Sequence, residues 1–374
     1  MKISRLSVAA CAAVASLSLG LSACAANEGG SGTEPAASGS GSAGTASLTG
    51  TLTGIGASSA ATAQETWAAA FQTANPDVTV NYSPDGSGAG RDAFAGGGAD
   101  FAGSDRALTA EEASAASLSS SRCADGSAAI DLPIYVSPIA VIYKLDGVDD
   151  LKLDAETLAG IFKGDIKTWD DAKIKALNEG ATLPSTNITA VHRADDSGTT
   201  ENFTDYLHTV APSVWDAEPD GEWAYEGGEA APQTSGVVDA VTNGNGTIGY
   251  ADASKAGDLG VAEIKVGDKF LAPSAEAAAA VIDNSPRDTE GRSASDIVVK
   301  IDRKAEGDVY PVVLLSYAIA CEKYEDPAVA AKVKGYLSYV ASAKGQQDAV
   351  ATAKMAPLSE KLSTEVEAAA AKIS

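Results

Sequence analysis

Histidine is close to absent. The 374 residues hold two, His192 and His208, and neither an HxH pair nor an Asp/His metal spacing occurs. Phosphoryl transfer and ester hydrolysis lean on a metal cluster or an activated nucleophile. A hydrolase is therefore disfavoured, and no catalytic residue and no metal site are assigned; His192 reads as a strand residue and His208 as a helix-face residue. Positive charge is scarce as well, since 27 Lys and Arg against 51 Asp and Glu leave a formal charge of −24. That excludes nucleic acid and an anionic membrane surface as partners held by charge. A small anion is not excluded, because aimed amides and one buried Arg act over a few ångströms while distant carboxylates are screened over about 8 Å. Long apolar runs are missing beyond the first two dozen residues, which leaves no span of about 18 residues for a membrane.

Residues 1–23 read as a secretory signal: Lys2 and Arg5 give a basic start, Leu6 to Leu21 an apolar core, and Leu21-Ser-Ala-Cys24 its close. That tetrad is similar to a bacterial lipobox, in which Cys24 carries lipid and heads the mature chain. The expectation is a protein anchored through Cys24 to the outer face of a cell membrane. Residues 24–47 are a Gly/Ser/Ala tract with almost no bulky apolar side chain and read as a flexible tether. Of four cysteines, Cys11 leaves with the signal and Cys24 is taken by lipid, so Cys123 and Cys321 remain in a compartment where disulfides persist. They are expected to pair, with two free thiols as the alternative.

From Leu48 onward β-branched runs alternate with helical patterns, and the class is α/β. Leu48–Gly56 reads as a strand and Ala57–Gln72 as a helix with Trp67 and Phe71 on one face. Val78–Tyr82 is a strand entering a helix through Ser83–Asp92, and Ala99–Asp105 a strand ending in an acid. Ile130–Tyr143, too long for one compact strand, reads as a crossing between two domains. Residues 213–235 look like a solvated surface excursion, and Gly246–Tyr250 like the strand that crosses back. Helices are expected over 327–346 and 357–373. These boundaries put lobe I at 48–133 and 252–374, and lobe II at 134–251.

One stretch organises the rest: Arg193-Ala-Asp-Asp-Ser-Gly-Thr199, between the strand Asn187–Val191 and the helix Glu201–Val210. A strand-to-helix turn aims unpaired N–H groups outward at the positive end of a helix dipole, where an anion is favoured. Ser197, Gly198 and Thr199 supply such amides and two hydroxyls. Arg193 adds a planar fork of donors that Asp195 can hold in place. Two more such turns occur, at Ser58-Ser59 and at Ser87, where Gly86, Gly88 and Gly90 allow close backbone approach to a ligand. Ligands of open α/β sheets gather at these carboxyl ends of strands, and an anion gripped from both domains would close them by a hinge motion.

Six motifs occur in one order: Gly54-Ile-Gly-Ala-Ser-Ser, Asn81-Tyr-Ser-Pro-Asp-Gly-Ser-Gly-Ala-Gly, Asp100-Phe-Ala-Gly-Ser-Asp, Ile161-Phe-Lys-Gly-Asp-Ile-Lys-Thr-Trp-Asp-Asp, Arg193-Ala-Asp-Asp-Ser-Gly-Thr and Gly246-Thr-Ile-Gly-Tyr. From Leu48 to its end the chain resembles the phosphate-binding proteins of ABC-type phosphate importers. The resemblance implies a type II periplasmic-binding-protein fold, two lobes on a two-strand hinge, with inorganic phosphate as ligand, no cofactor and no catalysis. Partners would be the permease subunits of the importer, and the protein would act as a monomer. Residue by residue, Ser58 matches a hydroxyl ligand, Ser59 a backbone N–H ligand and Ser87 the serine of the second turn. Asp105 matches the buried carboxylate, Arg193, Ser197, Gly198 and Thr199 the second-lobe grip, and Asp195 the acid paired with the arginine. Asp196 stands where glycine is usual and is expected to point outward. Asp105 would carry specificity: phosphate brings a proton to share with a carboxylate, while sulfate leaves acceptor facing acceptor. A binding protein for sulfate or molybdate is the alternative.

Overall fold

The computed structural model describes residues 47–374. The signal, Cys24 and the tether up to residue 46 lie outside the described residues. No helix among the described residues is long and apolar enough to cross a membrane.

The first set of elements is β1 (Gly50–Gly56), α1 (Ala61–Ala74), β2 (Val78–Ser83), α2 (Ser87–Ala95), β3 (Phe101–Ser104) and β4 (Ala129–Lys144). A second runs β5 (Lys152–Leu153), α3 (Ala155–Lys163), α4 (Ala172–Leu177), β6 (Thr189–Arg193), α5 (Gly198–Val210), β7 (Glu229–Ala231), α6 (Gln233–Asn243) and β8 (Thr247–Asp252). The last comprises β9 (Gly260–Val261), β10 (Glu263–Val266), β11 (Lys269–Leu271), α7 (Ala275–Asn284), β12 (Arg287–Asp288), β13 (Val298–Val299), β14 (Val313–Cys321), α8 (Pro327–Ala341), α9 (Ala343–Ala353) and α10 (Glu360–Ala370).

One nine-stranded sheet runs β2-β1-β3-β14-β4-β8-β6-β7, with β9 added beside β4. The long apolar segment is a single strand that serves both lobes: Ala129–Pro138 of β4 pairs with β14, and Ile139–Lys144 pairs with β8. Nearly every β4 residue is buried, as expected of a strand covered on both faces. The β4–β14 register slips between Ser316 and Tyr317, opposite Pro133, where a missing N–H interrupts the ladder. β9 pairs with the second half of β4 and β10 with β5, so the strands that follow β8 still pack on elements of 134–251.

Around the sheet, Trp67 and Phe71 are buried on one face of α1, and the Trp67 indole donates to the Gly345 carbonyl at 2.7 Å. The helix expected over 327–346 is two helices. Ser342 ends α8 and caps α9, accepting the Gly345 N–H. Helix α7, between β11 and β14, has no counterpart in the sequence reading. Cys123 and Cys321 are bonded as a disulfide, their Cα atoms 5.3 Å apart and 198 residues apart in sequence. The 213–235 excursion is largely exposed, as expected, but aromatic side chains anchor it: Trp215 is fully buried, and Trp223 stacks on His192 with ring centroids 4.6 Å apart.

Candidate anion-binding site

Parallel strands β1, β2 and β6 each feed a helix, so the N-termini of α1, α2 and α5 gather at the carboxyl ends of their strands. The structure brings the expected ligand residues of both lobes into one buried cluster, with Ser58, the most open of them, 7% exposed and the supporting Asp195 half-buried beside them. Ser59 donates its hydroxyl to Asp105, at 2.7 and 2.8 Å from the two oxygens. Thr199 donates to Asp105 from the other lobe at 2.8 Å, and the Asp105 N–H donates to Ser87 Oγ at 3.1 Å. Gly198 lies so close that a Cβ there would sit 2.7 Å from Ser87 Oγ and 2.8 Å from Asp105 Cβ. Ser197 caps α5, accepting the Thr200 N–H at 3.2 Å.

Among the described residues the backbone N–H groups of Ser58, Ser59, Ser87, Gly198 and Thr199 find no protein acceptor. Buried N–H groups without partners cost stability, and five at three helix starts are donors left over for a bound anion. Arg193, 3% exposed, supplies the one full positive charge. Its Nε donates to Asp195 Oδ1 at 2.9 Å and its Nη2 to Oδ2, while Nη1 makes no hydrogen bond among the described residues. Burial by itself would raise the Asp195 carboxyl, but the Arg193 guanidinium and the Gln233 N–H, 2.9 Å away, hold it below the usual range. An ionised Asp195 keeps the fork aimed.

Four contributors escaped the sequence reading. Ser316 on β14 donates its hydroxyl to Asp105 Oδ1, so three hydroxyls converge on this carboxylate. Thr234, at the start of α6, shares a 3.0 Å hydrogen bond with Ser58 across the lobes, and its N–H donates to Ser58 Oγ at 3.2 Å. Its neighbour Gln233 adopts φ of 57°, a left-handed conformation uncommon for a residue other than glycine. Asn202 donates to the Asp105 carbonyl at 2.6 Å. Arg91 on α2 reaches Asp196 at 2.8 Å, so Asp196 turns away from the cluster, as expected, but onto a partner in the other lobe. Of these, only Thr234 stood in a readable position, a hydroxyl residue after Pro232 at a helix start.

The glycines of the second turn serve the lobes as much as a ligand. A Cβ on Gly86 would lie 2.6 Å from Asp195 Oδ2, and one on Gly88 would lie 2.3 Å from Asp196 Oδ2. The cluster is thus shut by direct lobe-to-lobe contacts. Beside it opens a cleft of about 980 Å³, lined among others by Arg91, Asp105, Arg106, Asp196 and Glu201.

A family model described as a PBP superfamily domain matches residues 41–344. The chain is 37% identical over 296 residues to phosphate-binding protein PstS3 of Mycobacterium bovis (strain BCG / Pasteur 1173P2), covering 77% of each. It is 31% identical over 296 residues to phosphate-binding protein PstS of Methanocaldococcus jannaschii, covering 73% of this chain and 74% of that protein. Among solved structures it resembles a high-affinity periplasmic phosphate-binding protein bound with phosphate, with a TM-score of 0.70 and 22% identity over 85% of this chain and 93% of the other. A phosphate-binding protein from Stenotrophomonas maltophilia gives a TM-score of 0.63 and 20% identity over 85% and 93%. At such identities the structural likeness speaks for the fold.

Proposed function

The chain belongs to the PBP superfamily, among its phosphate-binding proteins, and from that premise we propose how its own residues capture inorganic phosphate for an ABC-type importer. The observation that carries the reading is Asp105, a buried carboxylate ringed by three hydroxyls and set among five free amides from both lobes. Ser58, Ser59, Ser87, Ser197, Gly198 and Thr199 grip phosphate oxygens with amides and hydroxyls, and Arg193 supplies the counter-charge through Nη1. Asp105 accepts a hydrogen bond from the O–H that hydrogen phosphate still carries. An anion without a proton meets a fixed acceptor there and loses about 1–3 kcal/mol or more.

Lobe I comprises 48–133 with the C-terminal part of the chain, and lobe II comprises 134–271. Lipid on Cys24 and the tether beyond it keep the protein at the extracytoplasmic face of the cell membrane, where it passes phosphate to the permease subunits as a monomer. Its relatives are binding proteins, and we read this chain as non-catalytic, with phosphate as ligand and no cofactor. Calorimetry with phosphate and with sulfate tests the reading. Tight phosphate binding that excess sulfate does not disturb is expected; equal affinity for both would remove the role given to Asp105.

A further inference from the structure

Asp196 directly precedes the grip residue Ser197, yet its carboxylate turns away from the anion cluster into a socket of its own. Arg91 of lobe I donates Nη2 to Asp196 Oδ2 at 2.8 Å and Nη1 to Ser104 Oγ at 3.1 Å, one residue before Asp105. The Gly88 N–H, also from lobe I, donates to the Asp196 carbonyl at 3.2 Å. Room for the carboxylate exists because two neighbours lack side chains: a Cβ would lie 2.3 Å from Oδ2 at Gly88 and 2.1 Å from Oδ1 at Gly221. Gly221 is held in place by its carbonyl, which accepts the Ser197 N–H at 3.0 Å. Both members of the pair line the 980 Å³ cleft that opens beside Asp105.

We propose that Asp196 and Arg91 form a clasp that holds the lobes shut from outside the anion cluster and sets how long the bound anion stays. The proposal goes beyond direct gripping of phosphate and rests on that reading only for the identity of the anion. The pair forms only when α2 and the start of α5 are in contact, so it stabilises the closed form and not an open one. With the Arg91 side chain 8% exposed and the Asp196 side chain 40% exposed, the pair stays sensitive to salt. Asp196 is a positioning residue: it touches the partner lobe, and the anion feels it through closure.

The test uses the wild type, Asp196→Asn, Arg91→Met and the double variant. Release of phosphate, followed by stopped-flow, should speed up about 3- to 10-fold in each single variant and no further in the double. Salt at about 1 M should speed release more in the wild type than in the variants and so narrow the gap between them, which a merely structural role would not produce. Additive effects in the double variant, or unchanged release, would overturn the clasp. Small-angle scattering of the ligand-free proteins needs no phosphate and separates this inference from the reading beneath it. A compact wild type with more expanded variants supports the clasp even should phosphate fail to bind, and identical profiles refute it.

Discussion

Asp105 and Arg106 are neighbours in sequence that belong to different regimes. Asp105 is 3% exposed and receives neutral hydroxyls from Ser59, Thr199 and Ser316. Arg106, its side chain 22% exposed, meets carboxylates instead: Glu112 of its own lobe at 2.7 Å and Glu201 of the other at 3.1 Å. The inner region grips with amides, hydroxyls and one buried guanidinium, which suffer little screening. The rim closes the lobes with full charges that salt and pH can reach. Both regions bridge the lobes, the inner one with neutral hydroxyls and the rim with ion pairs that answer to salt and pH.

The contrast breaks most visibly at Arg193, the one full charge inside. Arg193→Ala should weaken phosphate binding by about 2–5 kcal/mol by calorimetry, because a buried anion loses its charged partner. Asp105→Asn should narrow the preference for phosphate over sulfate by about 1–3 kcal/mol in competition titrations, since an amide can donate to either anion. Ser316→Ala should cost about 1 kcal/mol of that same preference, because the carboxylate loses one of the three hydroxyls that hold it in place; affinity and selectivity equal to the parent would remove Ser316 from the inner region. The smallest effect belongs to the rim. Burial pushes the Glu201 carboxyl from its ordinary 4.5 to about 7, against the pull of Arg106 and Arg91 and with added push from Asp196 and Asp220. A carboxyl raised on folding contributes stability that is present at low pH and lost as pH climbs through the raised value. The melting temperature of the wild type relative to Glu201→Gln should therefore rise as pH falls from about 7 towards 4.5, and a flat difference across that window would place Glu201 in solvent.

Local signals carried much of the site. Ser58, Ser87 and Ser197 were readable because a β-branched run, a small-residue turn and a helical period follow one another within about twenty residues. Ser316 was not, for it sits in an unbroken apolar strand where one hydroxyl carries no periodic mark. Strands β9 to β11 left no mark either, because they are two to four residues long and leave little periodicity to count.

Composition, strand-to-helix turns and the motif order by themselves determined an α/β chain with an anion-ready cluster, since backbone dipoles and turn chemistry act between residues close in sequence. Which side chains complete the cluster was decided only in three dimensions. The partners of Asp105, Ser58 and Asp196 lie 211, 176 and 105 residues away, and no local pattern records which hydroxyl or guanidinium the closing of two lobes will bring within 3 Å.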